Sequence, residues 1–88
     1  MVEYQIVYYK KCLNDIEKLK ASKLDEKAKG LIDMLRENPY KNPPPFEKLV
    51  GDLKGAYSRR INHQHRLVYQ VIDDQKIVRI ISMWSHYG

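Results

Sequence analysis

The sequence predicts an α+β fold: one strand, two helices and three further strands (β-α-α-β-β-β), with both helices packed on one face of a twisted antiparallel sheet. Three observations predict it. Apolar residues recur at helical spacing between residues 9 and 35. β-branched and aromatic residues crowd three runs after residue 55. The links between those runs are short enough that they read as hairpins. A chain of 88 residues has room for one core, so residues 1–88 are expected to form a single domain.

The opening segment, Val2 to Tyr8, alternates loosely and reads as a strand. Tyr9, Cys12, Leu13, Ile16 and Leu19 then fall on one helical stripe, giving a first helix of about 12 residues. Ser22 followed by Asp25 has the spacing of a capping box and predicts the start of a second helix. Leu24, Ala28, Leu31, Ile32 and Leu35 form its buried side. Gly30 weakens that helix by about 1 kcal/mol, and Pro39 ends it.

The run Pro39-Tyr40-Lys41-Asn42-Pro43-Pro44-Pro45-Phe46 is a stiff, extended connector. Glu47-Lys48-Leu49 follows as a short strand candidate, and 51–55 as a turn region. Strand-like runs then cover Ala56 to Asn62, Arg66 to Asp73 and Lys76 to Trp84.

With Asp74-Gln75 as the second turn, Ile72 opposes Ile77, Val71 opposes Val78, Tyr69 opposes Ile80 and Arg66 opposes Met83. Leu67, Tyr69, Val71, Val78 and Ile80 then share an apolar face. For the first hairpin, an even loop leaves Arg60 on that face, whereas an odd loop puts Tyr57 and Ile61 there. Burying an unpaired arginine is costly, so the odd loop is preferred. It gathers Arg60, Arg66, Gln70 and Arg79 on the face away from the helices. His86 and Tyr87 then emerge about 10 Å beyond Met83 at strand rise.

The single cysteine, Cys12, rules out a disulfide framework and suits a reducing compartment. No apolar run approaches the roughly 18 residues of a membrane span, and no secretory leader is visible. A soluble cytoplasmic protein without membrane association is therefore expected. Net charge is +5, and its distribution says more than its size. Lysines and acids concentrate before residue 56; Arg59, Arg60, Arg66, Arg79 and all three histidines lie after it. Arginine's planar fork matches phosphate oxygens, so the C-terminal third reads as a phosphate-handling face.

A histidine near such arginines, with a carboxylate to hand, is the equipment for ribonucleolytic transesterification. Asp73 and Asp74 sit at the far turn, which leaves Glu47 as the first acid the connector could deliver to the sheet. His63 and His65 have His-x-His spacing but no third ligand nearby, and no metal or other cofactor is expected. Residue types and spacing alone lead to a basic α+β domain with RNA as the candidate ligand.

The run Tyr57-Ser58-Arg59-Arg60-Ile61-Asn62-His63-Gln64-His65-Arg66-Leu67-Val68-Tyr69, with the closing Ser85-His86-Tyr87 and the upstream Phe46-Glu47-Lys48-Leu49, resembles the Txe/YoeB family of bacterial toxins in the RelE/ParE superfamily. The resemblance implies a bacterial, metal-independent endoribonuclease that cuts mRNA on the ribosome. By the same resemblance Glu47 is the general base, Arg66 the phosphate-stabilising cation and His86 the general acid, while Arg59, Arg60 and Tyr87 contact the substrate. The implied partner is a cognate antitoxin of the YefM/Axe type with an acidic C-terminal segment; a homodimer is left open. The chain has Glu47-Lys48-Leu49-Val50 where many members have Glu-Pro-Leu-Lys, and Gly88 follows the tyrosine that usually ends the family's chains. On the same scaffold, a ParE-like toxin that inhibits gyrase is the alternative, and it needs neither the histidine nor the glutamate.

Overall fold

The computed structural model describes residues 3–42, 45–49 and 55–86, the last two of them as backbone. The elements are strand β1 (Gln5–Tyr8), helix α1 (Cys12–Ala21), helix α2 (Asp25–Glu37), and strands β2 (Glu47–Lys48), β3 (Ala56–Arg60), β4 (His65–Ile72) and β5 (Ile77–His86). The α+β class and the two-helix, one-sheet layering are as expected. The short strand candidate after the connector forms β2, which makes five strands in the order β1-β5-β4-β3-β2.

One detail of the sheet differs from the expectation. β1 pairs with β5 in parallel, with Gln5 opposite Ile77 and Tyr8 opposite Ile80, so the sheet is mixed rather than wholly antiparallel. The C-terminal strands form the expected antiparallel meander. The chain has passed through both helices and that meander before β5 runs alongside β1, and nothing local in β1 encodes this neighbour.

Helices and sheet enclose one core. Cys12 and Leu19 from α1 and Ala28, Ile32 and Leu35 from α2 pack on Ile61, Leu67, Tyr69, Val78, Ile80 and Met83. The 3.6-residue period explains α2 well: residues 28, 32 and 35 share one face. In α1 the stripe is narrower than its apolar pattern. Leu13 is 60% exposed and Tyr9 is also on the surface, because the helix begins only at Cys12 and rolls toward β5. Cys12 donates through Sγ to the Ile80 carbonyl at 3.2 Å. Its burial pushes the thiol pKa up, which keeps it in the unreactive thiol form.

The expected capping box is absent. Ser22 closes α1 instead of opening α2, whose N-cap position is Leu24 with no side-chain cap. Lys23 adopts left-handed backbone geometry, φ 60°. Its N–H reaches the Lys20 carbonyl and the Leu24 N–H reaches the Leu19 carbonyl, the two-bond pattern of a Schellman motif. The serine's local preference loses to a turn that seats Leu24 against the core. At the other end Asn38 is extended, as the residue before a proline must be.

The register of β3 on β4 follows the odd loop. Arg60 opposes Arg66, Ser58 opposes Val68 and Tyr57 opposes Tyr69, with Ile61 buried. Asn62 shapes the loop by accepting the Gln64 and His65 amides on Oδ1. β4 and β5 begin in the expected register, from Ile72–Ile77 through Tyr69–Ile80. Two one-residue shifts then intervene, and Arg66 faces Ser85, not Met83. The turn between them is a 3-10 segment, Asp73–Gln75, closed by Lys76 in left-handed geometry.

Candidate active site

The arrangement starts at the proline-stiffened connector. Its first half is tied down at Pro39 and Tyr40. The Arg59 side chain donates from Nη2 to the Pro39 carbonyl at 3.0 Å and from Nε to the Tyr69 hydroxyl at 2.9 Å. The Tyr40 hydroxyl donates to Asp73 at 2.8 Å. The second half is held through Phe46, whose ring lies 4.7 Å from the Arg59 guanidinium carbon and meets Tyr57 edge-on. A chain held on both sides of its proline run enters β2 in fixed register, with Glu47 opposite Ser58.

That register brings Glu47 to Arg66. Glu47 Oε2 lies 3.1 Å from Arg66 Nη1, and the same nitrogen donates to Ser58 Oγ at 3.2 Å. The two partners differ in setting: the arginine side chain is 8% exposed and the carboxylate 62%. Ala56, Ser58, Val68 and Ser82 around the arginine are buried as well. The cation is thus recessed in the sheet face away from the helices, with the carboxylate at its rim. A recessed guanidinium stabilises an anion more strongly than one in open water, because less solvent competes for the charge.

Of the other expected site residues, Arg60 is exposed on the strand position facing Arg66. Arg59 lies on the opposite face, 1% exposed against the core; the odd loop that frees Arg60 buries its neighbour. Alternation carries that signal, since adjacent residues of a strand cannot share a face. His86 is the last residue of β5 and pairs with His65, one step from the Arg66–Ser85 pair. Its side chain and Tyr87 lie outside the described residues. His63 is exposed in the loop, while His65 is buried and stacked on Trp84 at 3.7 Å, so the two histidines do not form one site.

Two further residues were given no role by the sequence. The odd loop already sends Ser58 to the side of Arg66, and the structure brings the two into direct contact. Asp15 of α1 is buried and accepts the Met83 amide at 3.0 Å; a lone acid in an amphipathic helix gives no such signal. The apolar cleft of about 280 Å³ between α1, α2 and Met83 lies on the helix side of the sheet and shares none of these residues.

A family model of YoeB-like toxins of bacterial type II toxin–antitoxin systems matches residues 8–87. Toxin YoeB of Streptomyces coelicolor is 41% identical over 65 residues, 74% of this chain and 75% of that protein. Toxin YoeB of Escherichia coli K12 is 40% identical over 53 residues, 60% of this chain and 63% of that one. Among solved structures, a YoeB/ParE toxin from Agrobacterium tumefaciens superposes with a TM-score of 0.83 at 29% identity, covering 94% of this chain and 99% of its own. The toxin of a heterotetrameric YoeB–YefM toxin–antitoxin complex from Staphylococcus aureus superposes with a TM-score of 0.77 at 33% identity, covering 96% and 98%.

Proposed function

The chain belongs to the YoeB-like toxins of bacterial type II toxin–antitoxin systems, and from that premise we propose that it is a ribosome-dependent mRNA endoribonuclease. The observation that carries this reading is the recessed Arg66 with Glu47 at 3.1 Å, at the end of the sheet where β5 finishes. In the proposed reaction Glu47 takes the proton from a ribose 2′-OH, and the freed oxygen attacks the adjacent phosphorus. Arg66 holds the charge that builds on the five-coordinate phosphorane. The P–O5′ bond breaks as His86 gives its proton to the departing oxygen, leaving a 2′,3′-cyclic phosphate and a 5′-hydroxyl.

Arg60, exposed beside Arg66, is the arginine we assign to the neighbouring phosphate, and Tyr87 is assigned to a substrate base; the donors of Arg59 are engaged inside the fold. Arg66 reaches an incoming phosphate by exchanging part of its contact with Glu47, which sets the carboxylate free to act as base. Few groups suffice because positioning supplies much of the rate, and the ribosome orients the message. The proposed partner is an acidic antitoxin segment that folds over the basic face and covers this site.

The deciding experiment is primer extension on a translating message with Glu47→Gln, Arg66→Ala and His86→Gln. Each is expected to lose cleavage and relieve growth arrest while keeping its folded circular dichroism. Full cleavage by all three ends the assignment.

A further inference from the structure

The two register shifts in β5 determine how far the chain end reaches. Continued without them, the ladder that pairs Val71 with Val78 would set Met83 opposite Arg66 and His86 opposite residue 63, in the loop beyond β4. As observed, Val68 faces Ser82, Arg66 faces Ser85 and His86 faces His65. The tail is thereby drawn in by two residues. Extra residues in one strand interrupt the ladder there, so a backbone amide in that stretch needs a partner from elsewhere. The Met83 amide, inside the shifted stretch, donates to Asp15 Oδ2 at 3.0 Å. Asp15 is 6% exposed on α1, which packs on β5. A carboxylate is kept at such a depth only where it has a partner, and hydrogen bonds to a charged acceptor are the strong ones.

We propose that Asp15 is a positioning residue: by capping the Met83 amide it holds β5 in the shifted register that brings the backbone of His86 to the rung next to the Arg66–Ser85 pair instead of two residues farther along. The inference rests on the acid role proposed for His86, but it concerns α1, an element remote from the reacting face. Its chemistry is acceptance of one backbone proton, so an amide oxygen serves nearly as well as a carboxylate and an aliphatic side chain does not.

The test measures single-turnover cleavage on programmed ribosomes, and ribosome affinity, for Asp15→Asn and Asp15→Leu, each alone and with His86→Gln. Asp15→Asn is expected to stay within about threefold of wild type, and Asp15→Leu to cleave about 100-fold more slowly at unchanged affinity, the loss a misplaced catalytic group gives. With His86→Gln already present, Asp15→Leu adds no further loss. In parallel, backbone NMR of the unsubstituted chain is expected to show Arg66 across from Ser85, and Asp15→Leu to weaken that contact. Wild-type cleavage by folded Asp15→Leu, or an equal loss in both backgrounds, overturns the proposal. If Asp15→Leu does not fold, the unsubstituted chain decides: Arg66 across from Met83, or a Met83 amide resonance indifferent to Asp15→Asn, overturns it. Full cleavage by His86→Gln alone brings down the acid role instead, and the register result then stands separately.

Discussion

The two ends of the β4–β5 hairpin are built from the same pair of strands and solve different problems. At the turn end the ladder is regular: Ile72, Val71 and Gln70 face Ile77, Val78 and Arg79. The turn closes on itself, with the Lys76 amide donating to the Asp73 carbonyl, and Asp73 collects the hydroxyls of Tyr4 and Tyr40, each at 2.8 Å. At the open end the register slips twice within a few residues, a helix carboxylate takes a strand amide, and a guanidinium is buried beside a carboxylate from β2. One end keeps an unshifted ladder and a turn that closes on its own backbone, with two distant tyrosine hydroxyls added on one carboxylate. The other depends on α1, the connector and β2 arriving correctly. The proposed chemistry sits at the end that is expensive to build, where irregular pairing draws the last residues of β5 two positions back along β4.

The sharpest way to break this comparison is to strip the open end. Arg66→Ala is expected to reduce cleavage by about 10³-fold, the scale of losing a preorganised charge contact in a reacting site, with the turn-end pairings unchanged by NMR. A loss of less than about tenfold contradicts a catalytic role for the cation.

Next in size is the contrast between adjacent arginines. Arg59→Met leaves the Pro39 carbonyl and Tyr69 hydroxyl short of a buried donor and is expected to cost about 2–3 kcal/mol in urea unfolding. Arg60→Met, on the exposed side, is expected to change stability by less than about 0.5 kcal/mol while weakening cleavage. The same stability loss from both contradicts their placement on opposite faces. A third change falls just before β3, where Gly55 has φ 89°. Among the described residues no atom crowds its missing Cβ, so Gly55→Ala is expected to cost the left-handed backbone strain, about 1 kcal/mol, read from the unfolding midpoint.

The smallest effect belongs to the turn end. The hydroxyls of Tyr40, foremost, and Tyr4 hold the Asp73 carboxyl below its ordinary 3.8. A depressed folded value gives stability that is fully present above 3.8 and is lost as pH falls through the folded value. Asp73→Asn is therefore expected to unfold slightly earlier than wild type at neutral pH, with the gap closing in acid. A gap that persists unchanged in acid contradicts this linkage. Because the group is at the surface, the effect is small and screened by salt.

Much of the fold was legible in the sequence because it is written in local periods. Residues 28, 32 and 35 share a helix face, Leu67 and Tyr69 a strand face, and short links make hairpins. The Arg- and His-rich last third was legible as the basic region of the chain, and Glu47 after a rigid connector was the acid expected at the sheet, where it contacts Arg66. The failures have a common cause. Ser22 reads as a cap by its neighbours, yet the packing of Leu24 turns it into the close of α1. Asp15 lies off the apolar stripe of α1 and nothing in the sequence singles it out, yet it is buried under β5.

By itself the sequence determined which segments are helix and strand, which faces are apolar, and that arginine and histidine gather at one end, since these follow from the spacing of side chains along a short stretch. Tertiary structure alone decided that β1 lies parallel to β5, that Arg59 finds the Pro39 carbonyl and the Tyr69 hydroxyl inside the fold, and that Ser85 rather than Met83 faces Arg66. Each of those outcomes depends on where a backbone N–H, a carbonyl or a guanidinium finds its partner, and those partners lie outside the local stretch of chain, 10 residues away for Arg59 and Tyr69 and 20 for Arg59 and Pro39.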